Sequence, residues 1–443
     1  KIEKGIIVRN SKSGEKMMAK SPKIRTRERD TIVQALAAGV VPRIGLQHIQ
    51  VGRAAELNAL VRDIDRIADD GSAVRFIIGE YGAGKTFFSN LVRLIALEKK
   101  LVTAHADLAP DRRLHATGGQ ARTLYAEAVK NLSTRTNPDG GALQNILERF
   151  VTECVRQGEA QQKPIEKVID ERLAALQDLV GGYDFATVVK AYWRGSETGD
   201  DVLKAGALRW LRGEFSTKTE ARQAVGVRTI IDDASIYDGL KLLSEFVRLA
   251  GYGGLLIVFD EMVNLYKLQS AQARKQNYEQ ILRMLNDVLQ GNVGGIGFLF
   301  GGTPEFLMDP RRGLYSYEAL QSRLSENTFA VDGLVDMTGP IMRLQSLTPE
   351  ELYVLLQNLR HVYSGGNEET YLVPDEALEA FMEHCSEHVG EAYFRTPRNT
   401  IKAFVHMLAV LEQNPQTEWR ALLGATEIAP DEEEEGADET APD

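Results

Sequence analysis

The stretch Ala73-Val-Arg-Phe-Ile-Ile-Gly-Glu-Tyr-Gly-Ala-Gly-Lys-Thr-Phe-Phe88 joins an apolar run, three glycines and the start of a helical pattern. Its segment from Gly79 to Thr86 has the spacing G-x-x-x-x-G-K-[S/T], which is typical of a phosphate-binding loop. Glycines let backbone N–H groups turn toward an anion, and the positive end of the following helix favours the same anion. A chance glycine turn between a strand and a helix is the alternative. The stretch therefore predicts a nucleotide-binding protein.

Each residue of this loop has an expected task. Lys85 is expected to contact the β- and γ-phosphates, and the Thr86 hydroxyl to coordinate Mg²⁺. ATP and Mg²⁺ are the expected cofactors. The residues expected to line the nucleotide are Gly79, Glu80, Tyr81, Gly82, Ala83, Gly84, Lys85, Thr86 and Phe87.

The composition is that of an ordinary globular chain, with 43% hydrophobic and 26% charged residues among 443. This length predicts about two to three domains. Only two cysteines occur, which argues against a disulfide framework. No apolar run reaches the roughly 20 residues of a membrane helix, and no signal-peptide pattern opens the sequence. We therefore expect a cytoplasmic protein without a membrane partner.

Charge is concentrated at the two ends of the chain. Residues 1–29 carry ten Lys or Arg against three Glu, whereas residues 429–443 carry eight carboxylates and no cation. Such segments are typically solvated tails that only keep a protein in solution. A basic arm that touches nucleic acid phosphates is the sharper hypothesis, and contact between arm and tail is a third.

The pattern after the loop predicts an α/β sheet interrupted by a helical insertion. Residues 101–108 predict a second strand, so that strand, helix and strand begin a doubly wound sheet. From about 109 to 250 the apolar spacing is helical, and 140 residues are too many for a loop. We expect Trp193 and Trp210 to belong to the core of this insertion.

An uninterrupted apolar run, Leu255-Leu-Ile-Val-Phe-Asp-Glu261, ends in two carboxylates. A central parallel strand delivers such acids to its carboxyl-terminal edge. Asp260 is expected to hold Mg²⁺ and Glu261 to polarise the attacking water. The alternative is an aspartate that caps the following helix. A further buried strand over 294–302 precedes Thr303, whose hydroxyl is suited to positioning that water, or which belongs to a simple Thr-Pro turn.

Several of these motifs resemble AAA+ ATPases. The element Val51-Gly-Arg-Ala-Ala-Glu-Leu57 resembles their adenine-side box, which implies that Val51, Gly52 and nearby Ile44 line the base. Thr303 stands where AAA+ proteins place a polar residue. The segment Leu320-Gln-Ser-Arg-Leu324 resembles the part that carries a trans-acting arginine finger. That resemblance implies Arg323 as the finger, with Arg312 and Arg311 as the next candidates. For the arginine that reaches the phosphates from a C-terminal lid, it implies Arg398 or Arg395. For each arginine, a surface charge is the alternative.

The combination of motifs resembles the ATP-binding BrxC/BrxD family of bacteriophage-exclusion (BREX) and related defence operons. Ala35-Leu-Ala-Ala-Gly-Val-Val-Pro42, the glycine loop, Gly301-Gly-Thr-Pro-Glu305 and Phe394-Arg-Thr-Pro-Arg398 carry the resemblance, together with the acid-ending strand. It implies an AAA+-like P-loop NTPase of antiviral defence that acts with helicase, nuclease or methyltransferase partners.

The sequence therefore predicts an ATPase of the α/β class, a homo-oligomer that couples ATP hydrolysis to DNA or to a partner enzyme. Two alternatives remain open, a slow-turnover switch or scaffold and a nucleic-acid-binding platform that uses the basic arm. The predicted domains are a basic arm (1–29), a P-loop ATPase core (30–108 and 228–340), a helical insertion (109–227), a helical lid (341–413) and an acidic tail (414–443).

Overall fold

A parallel five-stranded β-sheet is the framework of the fold. The computed structural model describes residues 24–328, 336–389 and 397–423. The strand order across the sheet is β2-β3-β4-β1-β5, and every pairing is parallel. The strands are β1 (Ser72–Ile78), β2 (Val102–Asp107), β3 (Leu255–Asp260), β4 (Ile296–Gly302) and β5 (Ile341–Arg343). Because all strands run in one direction, their carboxyl ends lie along one edge of the sheet.

The central strands are buried along their whole length. Every residue of β1, β3 and β4 is buried, which explains why these segments are apolar runs rather than alternating patterns. The ring centroids of Phe76 and Phe300 lie 4.9 Å apart, and those of Phe259 and Phe300 lie 5.9 Å apart. Aromatic side chains thus pack across three neighbouring strands, β1, β4 and β3.

Helices make up most of the remaining described chain. The longest stretch without a strand lies between β2 and β3, where the sequence predicted an insertion. The helices are α1 (Thr26–Ala37), α2 (Ala54–Ala68), α3 (Lys85–Glu98), α4 (Gln120–Lys130), α5 (Leu143–Gln161), α6 (Ile165–Leu173), α7 (Gly182–Thr198), α8 (Asp201–Leu211), α9 (Lys218–Val225), α10 (Ile236–Leu249), α11 (Val263–Tyr266), α12 (Ala271–Leu289), α13 (Pro304–Met308), α14 (Glu318–Leu324), α15 (Pro349–Tyr363), α16 (Asp375–Val389), α17 (Pro397–Gln413) and α18 (Trp419–Leu423).

The described chain divides into two compact units. The first contains the described residues among 1–54, 79–91 and 344–443, and the second contains those among 55–78 and 92–343. The second unit therefore holds the sheet and the helices between β2 and β3. The first unit groups α1 and the glycine loop with the C-terminal helices.

The helices between β2 and β3 have an aromatic core. Trp210 is 2% exposed and Trp193 is 8% exposed, so the prediction that both are core residues is confirmed. The Trp210 indole N–H donates to the Thr229 carbonyl at 2.7 Å, which satisfies its buried polar atom. The ring of Phe185 packs against both Trp210 and Phe246. The helices between β2 and β3 thus pack around large apolar side chains.

In the first unit, α1 packs against the C-terminal helices α15 and α17. The sequence assigned residues 1–29 to a basic arm, whereas α1 begins at Thr26. Arg29 explains part of this difference, because its Nε donates to the Tyr363 carbonyl at 2.7 Å and its guanidinium lies 5.3 Å from the Tyr363 ring centroid. A tertiary contact thus anchors residues that the sequence assigned to the basic arm. Residues 1–23 and 424–443 lie outside the described chain.

Candidate functional site

The glycine loop connects the end of β1 to the start of α3. Gly82 and Gly84 have φ values of +78° and +81°, a left-handed conformation that glycine adopts without strain. The Lys85 Nζ donates to the carbonyls of Gly79 and Glu80 at 2.8 and 2.9 Å. The lysine ammonium group therefore lies against the backbone of the loop. The Ala83 N–H donates to the Glu80 carbonyl and closes the turn.

The residues predicted to line the base lie in the same unit as the loop. Of these, Val51 packs, half-buried, against the apolar cluster of the C-terminal helices, as do Phe87 of the loop segment and Leu347. Ile44 is also partly buried but does not belong to that cluster. Gly52 approaches α15 so closely that a Cβ there would lie 2.1 Å from the Glu351 Oε1. Apolar side chains beside a glycine backbone are suited to a planar base.

The two predicted acids differ in burial and backbone conformation. Asp260 is the last residue of β3 and is 4% exposed, and its Oδ1 accepts the Glu261 N–H at 2.9 Å. Glu261 is exposed and its backbone has a φ of +55°, which is uncommon for a residue other than glycine. Such a conformation costs about 1–3 kcal/mol and is concentrated at functional sites. Glu261 is the first residue after the carboxyl end of β3.

Gly301 on β4 makes room for the Asp260 carboxylate. A Cβ at this position would lie 2.1 Å from the Asp260 Oδ1, closer than any real contact. The nearby Met262 N–H donates to the Gly301 carbonyl at 3.0 Å. Gly301 therefore contacts both the Asp260 side chain and the backbone that follows β3. The close packing of β3 and β4 therefore determines where the buried carboxylate lies.

We expect Gly301→Ala to displace the Asp260 carboxylate and to destabilise the fold by about 1–3 kcal/mol, because overpacking a full core forces side chains from their preferred positions. Thermal unfolding and Mn²⁺ binding measured by electron paramagnetic resonance check this. Gly339→Ala is the matched control, since a Cβ there meets nothing within 4 Å. Unchanged Mn²⁺ binding in Gly301→Ala would show that Asp260 does not bind the cation.

Two further residues join Asp260 at this edge of the sheet. Asp107 is the register partner of Asp260 on β2, and His105 lies two residues earlier on the same strand. Ligand atoms of these three side chains lie within 4.8 Å of one another. His105 and Asp107 were not predicted from the sequence, although polar residues at alternate positions near the carboxyl end of a strand were a signal. The three together form a group that fits a divalent cation.

The His105–Asp107 pair also sets the local electrostatics. The His105 Nε2 lies 3.1 Å from the Asp107 Oδ1. This hydrogen bond lowers the pKa of Asp107 below 3.8, against the opposing effect of burial, and the charges of His105, Arg112 and Arg93 lower it further. Asp107 is therefore a carboxylate at neutral pH and presents a second negative charge beside Asp260.

Thr303 follows β4 and is the N-cap residue of α13. Its Oγ1 accepts the Phe306 N–H at 3.4 Å. The hydroxyl still has its own proton to donate, so capping does not exclude a contact with water. The structure thus places Thr303 at the edge where β3 also ends, in the local geometry of a Thr-Pro helix start.

The three arginines considered as fingers have different surroundings in the second unit. Arg323, on α14, is exposed and donates to the Asn286 Oδ1 at 2.6 Å and to the Ala319 carbonyl at 2.8 Å. The Arg312 guanidinium lies 5.4 Å from the Tyr266 ring centroid and donates to the Leu268 carbonyl. Arg311 is exposed. Arg323 and Arg311 are therefore the more accessible of the three.

Arg398 lies close to the glycine loop within the first unit. Its guanidinium carbon is 5.8 Å from the ring centroid of Tyr81, and both side chains are exposed. Residue 398 belongs to the first turn of α17, so the C-terminal helices supply this cation. Arg395, the other candidate for this task, lies outside the described residues.

These groups fit the cofactors that the sequence predicts. Lys85 and the left-handed glycines before α3 offer the donors that a polyphosphate needs. Asp260 and Asp107 with His105 offer oxygen and nitrogen ligands for a divalent cation.

A lysine-bearing glycine loop after a central parallel strand and a buried aspartate at the end of a second strand are features of nucleotide-binding α/β proteins. The chain belongs to the family of the BREX system ATP-binding protein BrxC/D, whose match covers residues 24–427. A comparison with curated proteins gives no match. Family membership supports ATP binding within BREX defence and thus partners within that system. Across the three described ranges, no helix has both the length and the apolar character needed to cross a bilayer.

Proposed function

We propose that the protein is an AAA+-like P-loop ATPase that hydrolyses ATP with Mg²⁺. The observation that carries this proposal is the pair Asp260 and Glu261. One carboxylate is buried at the end of β3, and the next residue holds an exposed carboxylate in a left-handed conformation. A second carboxylate directly after a buried aspartate is suited to accepting a proton from water, which nucleotide binding alone does not require.

The chain's own residues divide the chemistry among them. Bound ATP with Mg²⁺ supplies a γ-phosphoryl group whose charge the cation partly neutralises. Lys85 and the loop N–H groups hold the phosphates, Val51, Gly52 and nearby Ile44 line the base, and Phe87 contacts the nucleotide. Thr86 and Asp260 hold the cation. Glu261 accepts a proton from the attacking water, and the Thr303 hydroxyl orients that water.

The charge that develops on the phosphates requires further cations. Arg398 approaches the phosphates from the C-terminal helices, a role that its position beside Tyr81 supports. Arg323 acts across the interface of a homo-oligomer, and Arg311 and Arg312 are the next candidates. Arg323 must first release Asn286 for this task. An arginine finger contributes about 10³–10⁵-fold to the rate of GTP hydrolysis in GTPases.

Mixing variant subunits tests the oligomer. We expect Lys85→Ala and Arg323→Ala each to be inactive alone but to recover part of the wild-type turnover when mixed, since one subunit then supplies the site and its neighbour the arginine. ATP turnover and mass in solution, with and without ATP, are measured. Arg283→Ala serves as the control, because that arginine is exposed and pairs with Asp238. A monomer in ATP, or a mixture without recovery, contradicts the trans arginine.

Hydrolysis is coupled to DNA or to partner enzymes of the defence system, such as a helicase, nuclease or methyltransferase. ATP turnover measured with single-stranded DNA, duplex DNA and each co-expressed partner tests this. A rise in turnover supports coupling, whereas tight ATP binding with negligible turnover in every condition favours the switch or scaffold. The basic arm lies largely outside the described residues. Removal of residues 1–23 followed by a salt-dependent DNA-binding assay tests its contact with phosphates.

The domain organisation proposed for this function is the one that the sequence predicts. The α/β core carries Asp260 and Glu261, and the C-terminal helices act as a lid that supplies Arg398. We also place the protein in the cytoplasm. Both cysteines, Cys154 and Cys385, are buried and do not form a disulfide, which suits a reducing compartment.

A further inference from the structure

Arg53 connects two segments that are far apart in sequence but belong to the same unit. One Nη2 atom donates to the Ala83 carbonyl at 2.7 Å, inside the glycine loop. The same atom donates to the Gln345 carbonyl at 3.0 Å, in the chain that leads to α15. The guanidinium also lies 6.0 Å from the ring centroid of the buried Phe88, in the first turns of α3. One side chain thus contacts the loop, the helix that follows it and the approach to α15.

The backbone of Arg53 has a conformation that is uncommon for residues other than glycine. Its φ is +58°, in the left-handed region that glycine adopts more readily than arginine. The same residue also carries a side chain that donates hydrogen bonds to two carbonyl oxygens. A backbone conformation of this kind supports a hypothesis of function.

The contact with Ala83 has a direct consequence for the loop. In a planar trans peptide, the carbonyl of one residue and the N–H of the next point in opposite directions. The Arg53 guanidinium holds the Ala83 carbonyl, so it also determines the direction of the Gly84 N–H. That N–H is one of the donors expected to face a phosphate, and Gly84, with φ +81°, has no side chain to restrain it.

The contact with Gln345 reaches the start of α15. Thr348 caps this helix, and Glu351 completes the capping box. Glu351 is also the side chain that a Cβ at Gly52 would strike. On the loop side, a Cβ at Gly79 would lie 3.0 Å from the Leu344 carbonyl. The loop, the Gly52–Arg53 step and residues 344–351 are therefore packed together within the first unit.

We propose that Arg53 is a positioning residue that orients the Gly84 N–H and couples occupancy of the phosphate loop to the start of α15. The proposal rests on the proposed nucleotide site but concerns a residue that does not itself take part in the chemistry. A nucleotide that changes the loop thereby changes the restraint on residues 344–351. A change in the loop is therefore transmitted to the start of α15 through the Arg53 side chain.

Substitution by glycine isolates the side chain, because glycine adopts the left-handed backbone without strain. We expect Arg53→Gly to fold and to bind a fluorescent ATP analogue about tenfold more weakly, because it loses the hydrogen bond that the charged side chain makes to the loop, at the Ala83 carbonyl. Arg53→Lys keeps the charge but not the planar donors. Its affinity for the analogue should therefore lie between those of the wild type and Arg53→Gly. Arg43→Gly is the control, since Arg43 is exposed in the same segment.

Hydrogen exchange separates this role from a general structural one. Without nucleotide, amides of residues 79–90 and 344–352 should exchange about tenfold faster in Arg53→Gly than in Arg43→Gly, while other regions stay unchanged. In the wild type, ATP should slow exchange in both segments. In Arg53→Gly at saturating ATP, only residues 79–90 should become protected.

The outcomes discriminate between the two proposals. Equal protection of residues 344–352 by ATP in wild type and Arg53→Gly overturns the coupling, as does acceleration spread over the whole chain. A wild type that fails to bind ATP contradicts the proposed function instead. The nucleotide-free exchange then still tests the contact that Arg53 makes. If Arg53→Gly fails to fold, an exchange pattern of Arg53→Lys equal to that of the wild type overturns the proposal.

Discussion

Lys85→Ala should lower the affinity for ATP by about a hundredfold or more. The Lys85 ammonium lies against the backbone of the glycine loop, held by the carbonyls of Gly79 and Glu80 at 2.8 and 2.9 Å. A hydrogen bond to a charged partner contributes about 1.5–3 kcal/mol. Loss of two such bonds to phosphate oxygens therefore corresponds to at least about a hundredfold change in dissociation constant. Titration with a fluorescent ATP analogue measures this change.

Thermal unfolding adds a second readout for Lys85→Ala. A ligand that binds the folded state raises the melting temperature, so ATP should stabilise the wild type and leave Lys85→Ala nearly unchanged. Lys130→Ala is the matched control, because the Lys130 side chain is 74% exposed and pairs only with the nearby Glu127 among the contacts of the described chain. Equal stabilisation of wild type and Lys85→Ala by ATP would remove Lys85 from the site.

Glu261→Gln should bind ATP and lose turnover by about 10²–10⁴-fold, the range that a general base contributes. The amide has the size of the carboxylate but cannot accept the proton of the attacking water. The Glu261 N–H bond to Asp260 is a backbone contact and survives the substitution. Release of inorganic phosphate, measured at saturating ATP, gives the turnover, and the fluorescent titration gives the binding.

The control for Glu261→Gln is a second acid of the same sheet edge. Glu305 is exposed in α13, shortly after β4, so Glu305→Gln should turn over ATP at the wild-type rate. Two results contradict the assignment. Wild-type turnover in Glu261→Gln shows that another group accepts the proton. Failure of the same variant to bind ATP shows that the residue serves the fold of the site rather than its chemistry.

The sequence by itself determined the features that depend on neighbouring residues. The glycine spacing from Gly79 to Thr86, placed after an apolar run, predicted a turn between β1 and α3. The run that ends at Asp260 predicted a buried strand with acids at its end, and β3 has this form. These features are local, because backbone freedom at glycine and apolar burial act over a few residues.

Only the tertiary structure decided which distant residues meet. The register of β2 against β3 sets Asp107 opposite Asp260, and the packing of β4 brings Gly301 against the same carboxylate. Arg53 reaches the carbonyl of Gln345, 292 residues away in the chain. Strand order and side-chain contacts of this range depend on how the whole chain packs. No local pattern encodes them, so the sequence named Arg53 within a motif but gave no role to its side chain.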